Sequence, residues 1–159
     1  PICRGLFQRL EQTRGTAMID GHSFGLALLD LNRFKPINDS HGHQTGDAVL
    51  REVAQRLNGL GHGVAARLGG DEFVVIVDPL PDDDGSALAA VAETIVARLA
   101  EPIRIDGLRL EISASVGLSR HGGGTGVADC EALLHAADQR MYREKGRHSP
   151  RLRAVAGVR

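Results

Sequence analysis

Apolar positions recur along this chain with two periods, and the switches between them mark the elements. Leu6, Phe7 and Leu10 share one side, which predicts the end of a helix over 5–12. The Gly- and Asp-containing stretch 13–23 reads as a loop. Residues 24–31 form an apolar run interrupted only by Asp30, the pattern of a central strand covered on both faces. A short helical segment follows over 33–41, where Pro36 fits only the first turn. Val49, Leu50, Val53, Ala54 and Leu57 place an amphipathic helix over 46–57. Apolar runs at 64–68 and 73–77 flank Gly69-Gly70-Asp71-Glu72, which reads as a β-hairpin whose turn carries two carboxylates.

Residues 78–85, with two prolines and Asp82-Asp83-Asp84, read as a solvated loop in which nothing orders the acids. Leu88, Val91, Ala92, Ile95, Val96 and Leu99 mark a helix over 86–100. Ile103 and Ile105 alternate into an Asp106-Gly107 turn. Leu108, Leu110, Ile112, Ala114, Val116 and Leu118 continue with period two as a second hairpin. Gly122-Gly123-Gly124 predicts a flexible surface loop. Asp129 is placed to cap a last helix that buries Cys130, Leu133, Leu134, Ala137 and Met141. Beyond Lys145 periodicity is lost and the chain becomes basic, so 148–159 reads as a tail or linker after a domain over 1–147. The order is α–β–α–α–β–β–α–β–β–α. That implies an α/β (α+β) fold with a mixed, mainly antiparallel sheet flanked by helices.

Composition narrows the picture. The 159 residues amount to one domain. Aromatics are only 3% of the chain, so Leu, Val, Ile and Ala must build the core. The net charge of −1 gives no global basic field, and no nucleic-acid partner is expected. Cys3 and Cys130 form neither a metal motif nor a disulfide framework, which fits a reducing, cytoplasmic setting. No apolar run is long enough for a membrane span, and direct membrane contact is not expected of this segment. Walker and dinucleotide-binding patterns are absent.

Two places carry candidate chemistry. Asp30 ends a strand that is otherwise apolar, and a charge there is costly unless paired. If that strand neighbours the acidic hairpin, Asp30 and the hairpin carboxylates converge. With a strand-end carbonyl they would make an all-oxygen site suited to Mg²⁺, completed by phosphate oxygens and water. The alternative reading is that Asp30 caps the next helix and Asp71-Glu72 is an exposed turn. The second place is 32–35, where backbone N–H groups at a helix start suit a phosphate and Lys35 adds charge. Asn38 and Asp47 are short polar groups able to read a base edge, or else simply a helix end and a first-turn acid. His41-Gly42-His43 lacks a third ligand and makes a poor metal site; the remaining histidines fit loop or surface positions, with His135 near the packing of the last helix.

The run from Asp30 to Asp47, DLNRFKPINDSHGHQTGD, resembles the D-(L/I)-(D/N)-x-F-K-x-(I/V)-N-D-x-x-G-H-x-x-G-D signature of GGDEF domains. Arg67 to Phe73, RLGGDEF, carries that family's name motif in full. Ser113-Ala114-Ser115-Val116-Gly117 resembles its S-(I/V)-G strand. Ala137-Asp138-Gln139-Arg140-Met141-Tyr142 with Lys145 resembles its A-D-x-A-(L/M)-Y-x-A-K helix. The similarity covers nearly the whole chain. It implies the palm-like fold of nucleotide cyclases and polymerases, and a diguanylate cyclase that joins two GTP molecules into cyclic di-GMP with release of pyrophosphate. It further implies Mg²⁺ (or Mn²⁺) held by Asp30, the Leu31 carbonyl and Asp71, and guanine read by Asn38 and Asp47. Phosphates would be cradled by backbone at Asn32, Arg33 and Phe34, with Lys35 stabilising charge at the reacting phosphorus. Lys145 would reach the terminal phosphates, and Asp71 or Glu72 would take the 3′-hydroxyl proton. Since each site holds one GTP, a homodimer is implied. Fusion to sensory or EAL domains is the family's usual architecture. The competing expectation is a silent GTP- or effector-binding module on the same fold.

Three departures stand out. The window for the family's R-x-x-D product-inhibition site is Leu60-Gly61-His62-Gly63, without either charge, so no feedback through it is expected. The final helix reads Glu144-Lys145-Gly146-Arg147-His148, two residues shorter than A-K-x-x-G-R-N, which leaves Arg147 as the candidate second phosphate-binding residue. Arg4-Gly5-Leu6-Phe7 resembles only the tail of the D-x-L-T-G-L-x-N-R-R opening.

Overall fold

A computed structural model describes residues 4–61, 63–81, 84–122 and 129–148. The elements are α1 (Arg4–Asp20), β1 (Ser23–Asn32), α2 (Phe34–His41), α3 (His43–Asn58), β2 (Val64–Gly69), β3 (Glu72–Leu80), α4 (Ser86–Ala100), β4 (Ile103–Ile105), β5 (Leu108–Leu110), β6 (Ser113–His121) and α5 (Cys130–His148). Four strands form a sheet in the order β2-β3-β1-β6, with every neighbouring pair antiparallel. β4 and β5 form a separate ribbon. This is the mainly antiparallel sheet with flanking helices that the pattern predicts.

β1 lies at the centre and is buried along almost its whole length. Its side chains alternate between two cores, as the pleat requires. Ala27, Leu29 and Leu31 join the cluster under α2, α3 and α4. Phe24, Leu26 and Leu28 join the cluster under α1 and α5. By the same alternation Asp30 belongs to the α5 face, and that places it within reach of α5 side chains.

Several boundaries differ from the sequence reading. The first helix continues through 13–20, because Thr13 and Ala17 extend the buried stripe of Leu6 and Leu10 with residues too small or polar to signal it. The helix ends instead at Gly21, in the left-handed region at φ 70°. The second long helix starts at His43, directly after Gly42 at φ 85°. β3 extends to Leu80 through a cis Asp78-Pro79 bond, with Ser23 paired to Leu80 beyond a register shift. Asp84 accepts a hydrogen bond from the Ser86 N–H at 2.8 Å, so one of the three loop acids is ordered after all; Asp82 and Asp83 lie outside the described residues.

The long period-two run after Asp106 is two strands, not one. The chain bends at 111–112 and moves from the ribbon to the main sheet, while Leu110 and Ile112 stay in one core. The expected Asp129 cap is present, accepting the Ala132 N–H at 2.8 Å, and the five named apolar residues of α5 are buried. α5 also continues past Lys145 to His148. Gly123, Gly124, His62 and the 149–159 tail lie outside the described residues. His121 is in a strand rather than a loop and stacks on Phe24 at 5.1 Å, and His22 pairs with Asp78 at 2.6 Å. His135 is exposed and bonds Gln139.

Candidate active site

β1 and β3 are neighbours, with Asp30 directly opposite Glu72. Asp30 therefore meets the acidic hairpin, as strand adjacency requires. On its other side Asp30 faces Ser115 of β6. The Asp30 side chain is only 11% exposed, and Lys145 reaches from α5 to place Nζ 2.8 Å from its Oδ1.

The hairpin turn is held by two backbone-directed contacts. The Leu31 N–H donates to the Asp71 carbonyl at 3.1 Å, and Arg67 Nε donates to the Gly70 carbonyl at 2.9 Å. Gly70 sits at φ 53°, a left-handed conformation that glycine adopts without steric cost. The turn thus presents Asp71 beside the end of β1. Burial, then the Asp30 charge, raise the Asp71 and Glu72 carboxyls above the ordinary carboxylate range; Lys145 counteracts part of the rise. The Asp30 hydrogen bond raises the Lys145 ammonium in turn.

Of these groups Leu31, Asp71 and Lys145 line a cavity of about 640 Å³. Asn32, Arg33, Phe34, Lys35, Asp71, Glu111, Ser113 and Lys145 are among the residues that line it. Leu31 and Phe34 line it although both are largely buried in the core. Arg33 adopts φ 63° just before α2, a strained geometry for a non-glycine residue that turns the chain sharply from β1 into the helix. Asn32 is fixed by two serines of β6: its Nδ2 donates to Ser113 Oγ and its Oδ1 accepts from Ser115 Oγ, each at 3.1 Å.

Asn38 lies in α2 and Asp47 in the first turns of α3, and neither lines that cavity. The Asn38 side chain lies directly over Gly46, where an added Cβ would stand 1.7 Å from Oδ1. That buried Oδ1 has no hydrogen-bond partner. Asp47 is exposed and lines a second cavity of about 360 Å³ with Leu50, Arg51, Arg67 and Phe73. Arg147 lines neither cavity; it is exposed on α5 and pairs with Glu144 at 3.5 Å. The structure therefore gathers Asp30, Leu31, Asn32, Arg33, Phe34, Lys35, Asp71, Glu72 and Lys145, puts Asp47 on the second cavity, and leaves Asn38 and Arg147 lining neither.

The chain matches the family described as diguanylate cyclase, GGDEF domain, over residues 3–151. It is a member of the GGDEF family. It is 38% identical over 142 residues to the bifunctional diguanylate cyclase/cyclic di-GMP phosphodiesterase MucR of Pseudomonas aeruginosa, covering 88% of this chain and 20% of that protein. It is 40% identical over 131 residues to the cyclic di-GMP phosphodiesterase PdeR of Escherichia coli, covering 79% and 19% respectively. The chain thus spans about a fifth of the length of these curated relatives. Among solved structures, the GGDEF domain of TpbB from Pseudomonas aeruginosa superposes with a TM-score of 0.80 at 36% identity, covering 91% of this chain and 89% of that one.

Sequence reasoning missed several supports of this GGDEF site. Ser113 and Ser115 were visible as a motif, and their spacing of two puts both on one face of a strand, but only the β1–β6 register shows that they grip Asn32. Arg67 looked like part of a name motif and proves to be the clamp on its turn. Arg56 had no signal at all. It donates to the carbonyls of Arg98, Glu101 and Pro102 at 2.9, 2.6 and 3.1 Å and so fixes the end of α4, where Ala100 lines the cavity. At Gly63, where the family pattern carries an acid, a Cβ would stand 1.6 Å from the Ile76 carbonyl oxygen.

Proposed function

We propose that this GGDEF domain is a diguanylate cyclase, binding one GTP per subunit and joining two of them across a homodimer. The observation that carries the reading is that Asp30 lies opposite Glu72 and close enough to Asp71 for its charge to act on it, while Asp71 and the Asp30-paired Lys145 line the cavity that residues 32–35 also line. The oxygen set fits a divalent cation. Two carboxylates and the Leu31 carbonyl leave room for phosphate oxygens and water, the way Mg²⁺ is usually held. Among the described residues no cluster of three or more His, Cys, Asp or Glu side chains is arranged to hold a metal ion. The cation, Mg²⁺ or Mn²⁺, would polarise the phosphoryl group and lower the pKa of the attacking hydroxyl.

The chain's own residues do the rest. Asn32, Arg33 and Phe34 offer backbone N–H groups to the phosphates, and Lys35 offsets negative charge as it builds at the α-phosphorus. Asn38 and Asp47 hold the guanine. Asp71 or Glu72, whose carboxyls are raised by burial and by the Asp30 charge, accepts the proton from the 3′-hydroxyl as that oxygen bonds the partner GTP's α-phosphorus and pyrophosphate leaves. Two such bonds close the ring, so two half-sites must face each other. A GTP substrate places the domain in the cytoplasm, and fusion to sensory or EAL domains fits the greater length of the relatives.

A second reading is a silent GTP-binding regulatory module. It is favoured by Arg147 standing away from the cavity. One experiment separates the two. The protein, concentrated or fused to a dimerising partner, is incubated with GTP and Mg²⁺ and assayed for cyclic di-GMP. Product that is lost in Asp71→Ala without a fall in melting temperature supports the cyclase. GTP binding without product supports the regulatory module, and no GTP binding sinks both.

A further inference from the structure

We propose that Lys145 is the resident counter-cation of Asp30 in the nucleotide-free protein, so that the metal position opens only as nucleotide phosphates draw Lys145 away. This rests on the reading of Asp30 as a metal ligand. Its Nζ lies 2.8 Å from Asp30 Oδ1, and the Asp30 side chain is almost fully covered, which leaves little of the carboxylate for a second cation. A Mg²⁺ bonds a carboxylate oxygen at ~2.1 Å. It would share that oxygen with an ammonium only a few ångströms away, and two cations at such a distance repel strongly where water is scarce.

The arrangement is built for exchange rather than permanent pairing. Lys145 is 45% exposed near the end of α5 and lines the same cavity as the phosphate-facing backbone, so its long arm can turn to a phosphate without moving the helix. In the empty site it also offsets the charges of Asp71 and Glu72. When a metal arrives with a triphosphate, Asp30 gains the metal and Lys145 gains the phosphates, so neither charge is left unpaired. A metal arriving alone must strand Lys145. Metal and nucleotide binding are thereby coupled, and by linkage the coupling acts equally in both directions.

The test is Mn²⁺ binding to the nucleotide-free protein, followed by the electron paramagnetic resonance signal of free Mn²⁺. Lys145→Gln is expected to bind Mn²⁺ about fivefold tighter than wild type, the scale of a partly exposed ion pair. Lys35→Gln removes an equal charge from the same cavity without touching Asp30 and is expected to change the affinity less than about twofold. No gain in Lys145→Gln, or an equal gain in Lys35→Gln, overturns the proposal while leaving the metal reading intact, provided Asp30→Asn weakens Mn²⁺ binding. If Asp30→Asn has no effect either, the metal reading falls and the proposal with it.

Discussion

Gly46→Ala separates base recognition from folding. Gly46 is buried in the first turn of α3, and a Cβ there would stand 1.7 Å from Asn38 Oδ1 and 2.8 Å from its Cγ. The three nearest atoms all belong to the Asn38 side chain, so the strain is relieved by rotating that side chain. Alanine gains about 1 kcal/mol over glycine as a helix former. Forcing Asn38 off its rotamer costs about 0.5–1.5 kcal/mol. The two nearly cancel, and the melting temperature should move by no more than about 3 °C.

Binding is expected to respond differently. An Asn38 turned away from the base forfeits its hydrogen bonds and leaves a base group unpaired, about 1–2 kcal/mol or roughly 5- to 30-fold in affinity. Calorimetry with 3′-deoxy-GTP, which lacks the nucleophile and cannot turn over, measures this directly. 3′-Deoxy-ATP reports how far the preference for guanine relaxes. Asn38→Ala should show the same loss, and the double variant should lose no more than either single one, because both act through one side chain. Unchanged affinity in Gly46→Ala, or additive losses in the double variant, refutes the role given to Asn38 in this orientation. A large drop in melting temperature refutes the claim that only Asn38 must yield.

Gly117 makes the opposite case: its Cβ would meet the Ala137 carbonyl oxygen at 1.9 Å and the Met141 nitrogen at 2.4 Å, both backbone atoms of α5. Gly117→Ala must push α5 off the sheet and should cost about 3 kcal/mol in a denaturant melt; a stable variant would contradict the close packing of α5 on β6. The raised Asp71 carboxyl predicts a pH effect on the metal-free protein. A carboxyl raised on folding contributes stability that is present below its unfolded value and lost as pH climbs through the folded one. Asp71→Asn should therefore melt higher than wild type at pH 7, with the difference shrinking as pH falls towards 4; a difference that is absent or reversed in sign removes the electrostatic account.

Much of the site was legible because its parts are local. Gly69-Gly70-Asp71-Glu72 between two apolar runs specifies a turn carrying acids, and an aspartate ending an apolar strand asks for a positive partner. The pattern ends the first helix early because Thr13 and Ala17 carry little apolar signal, yet both are buried on the α1 face. The 108–118 run was read as one strand because alternation survives a bend that keeps Leu110 and Ile112 in the same core. Arg147 was a candidate by spacing alone, and spacing along a helix does not say which side of it the cavity occupies.

By itself the sequence determined the chemistry on offer: which carboxylates, which amides, which cations, and the local turns that present them. Those follow from residue type and short-range backbone preference. Only the tertiary structure decided which of them meet. The register of β1 against β3 and β6 sets Asp30 opposite Glu72 and Asn32 between two serines. The packing of α5 brings Lys145 across 115 residues of chain to Asp30. Contacts of that separation depend on strand order and on a single-residue choice of face, and no local pattern encodes either.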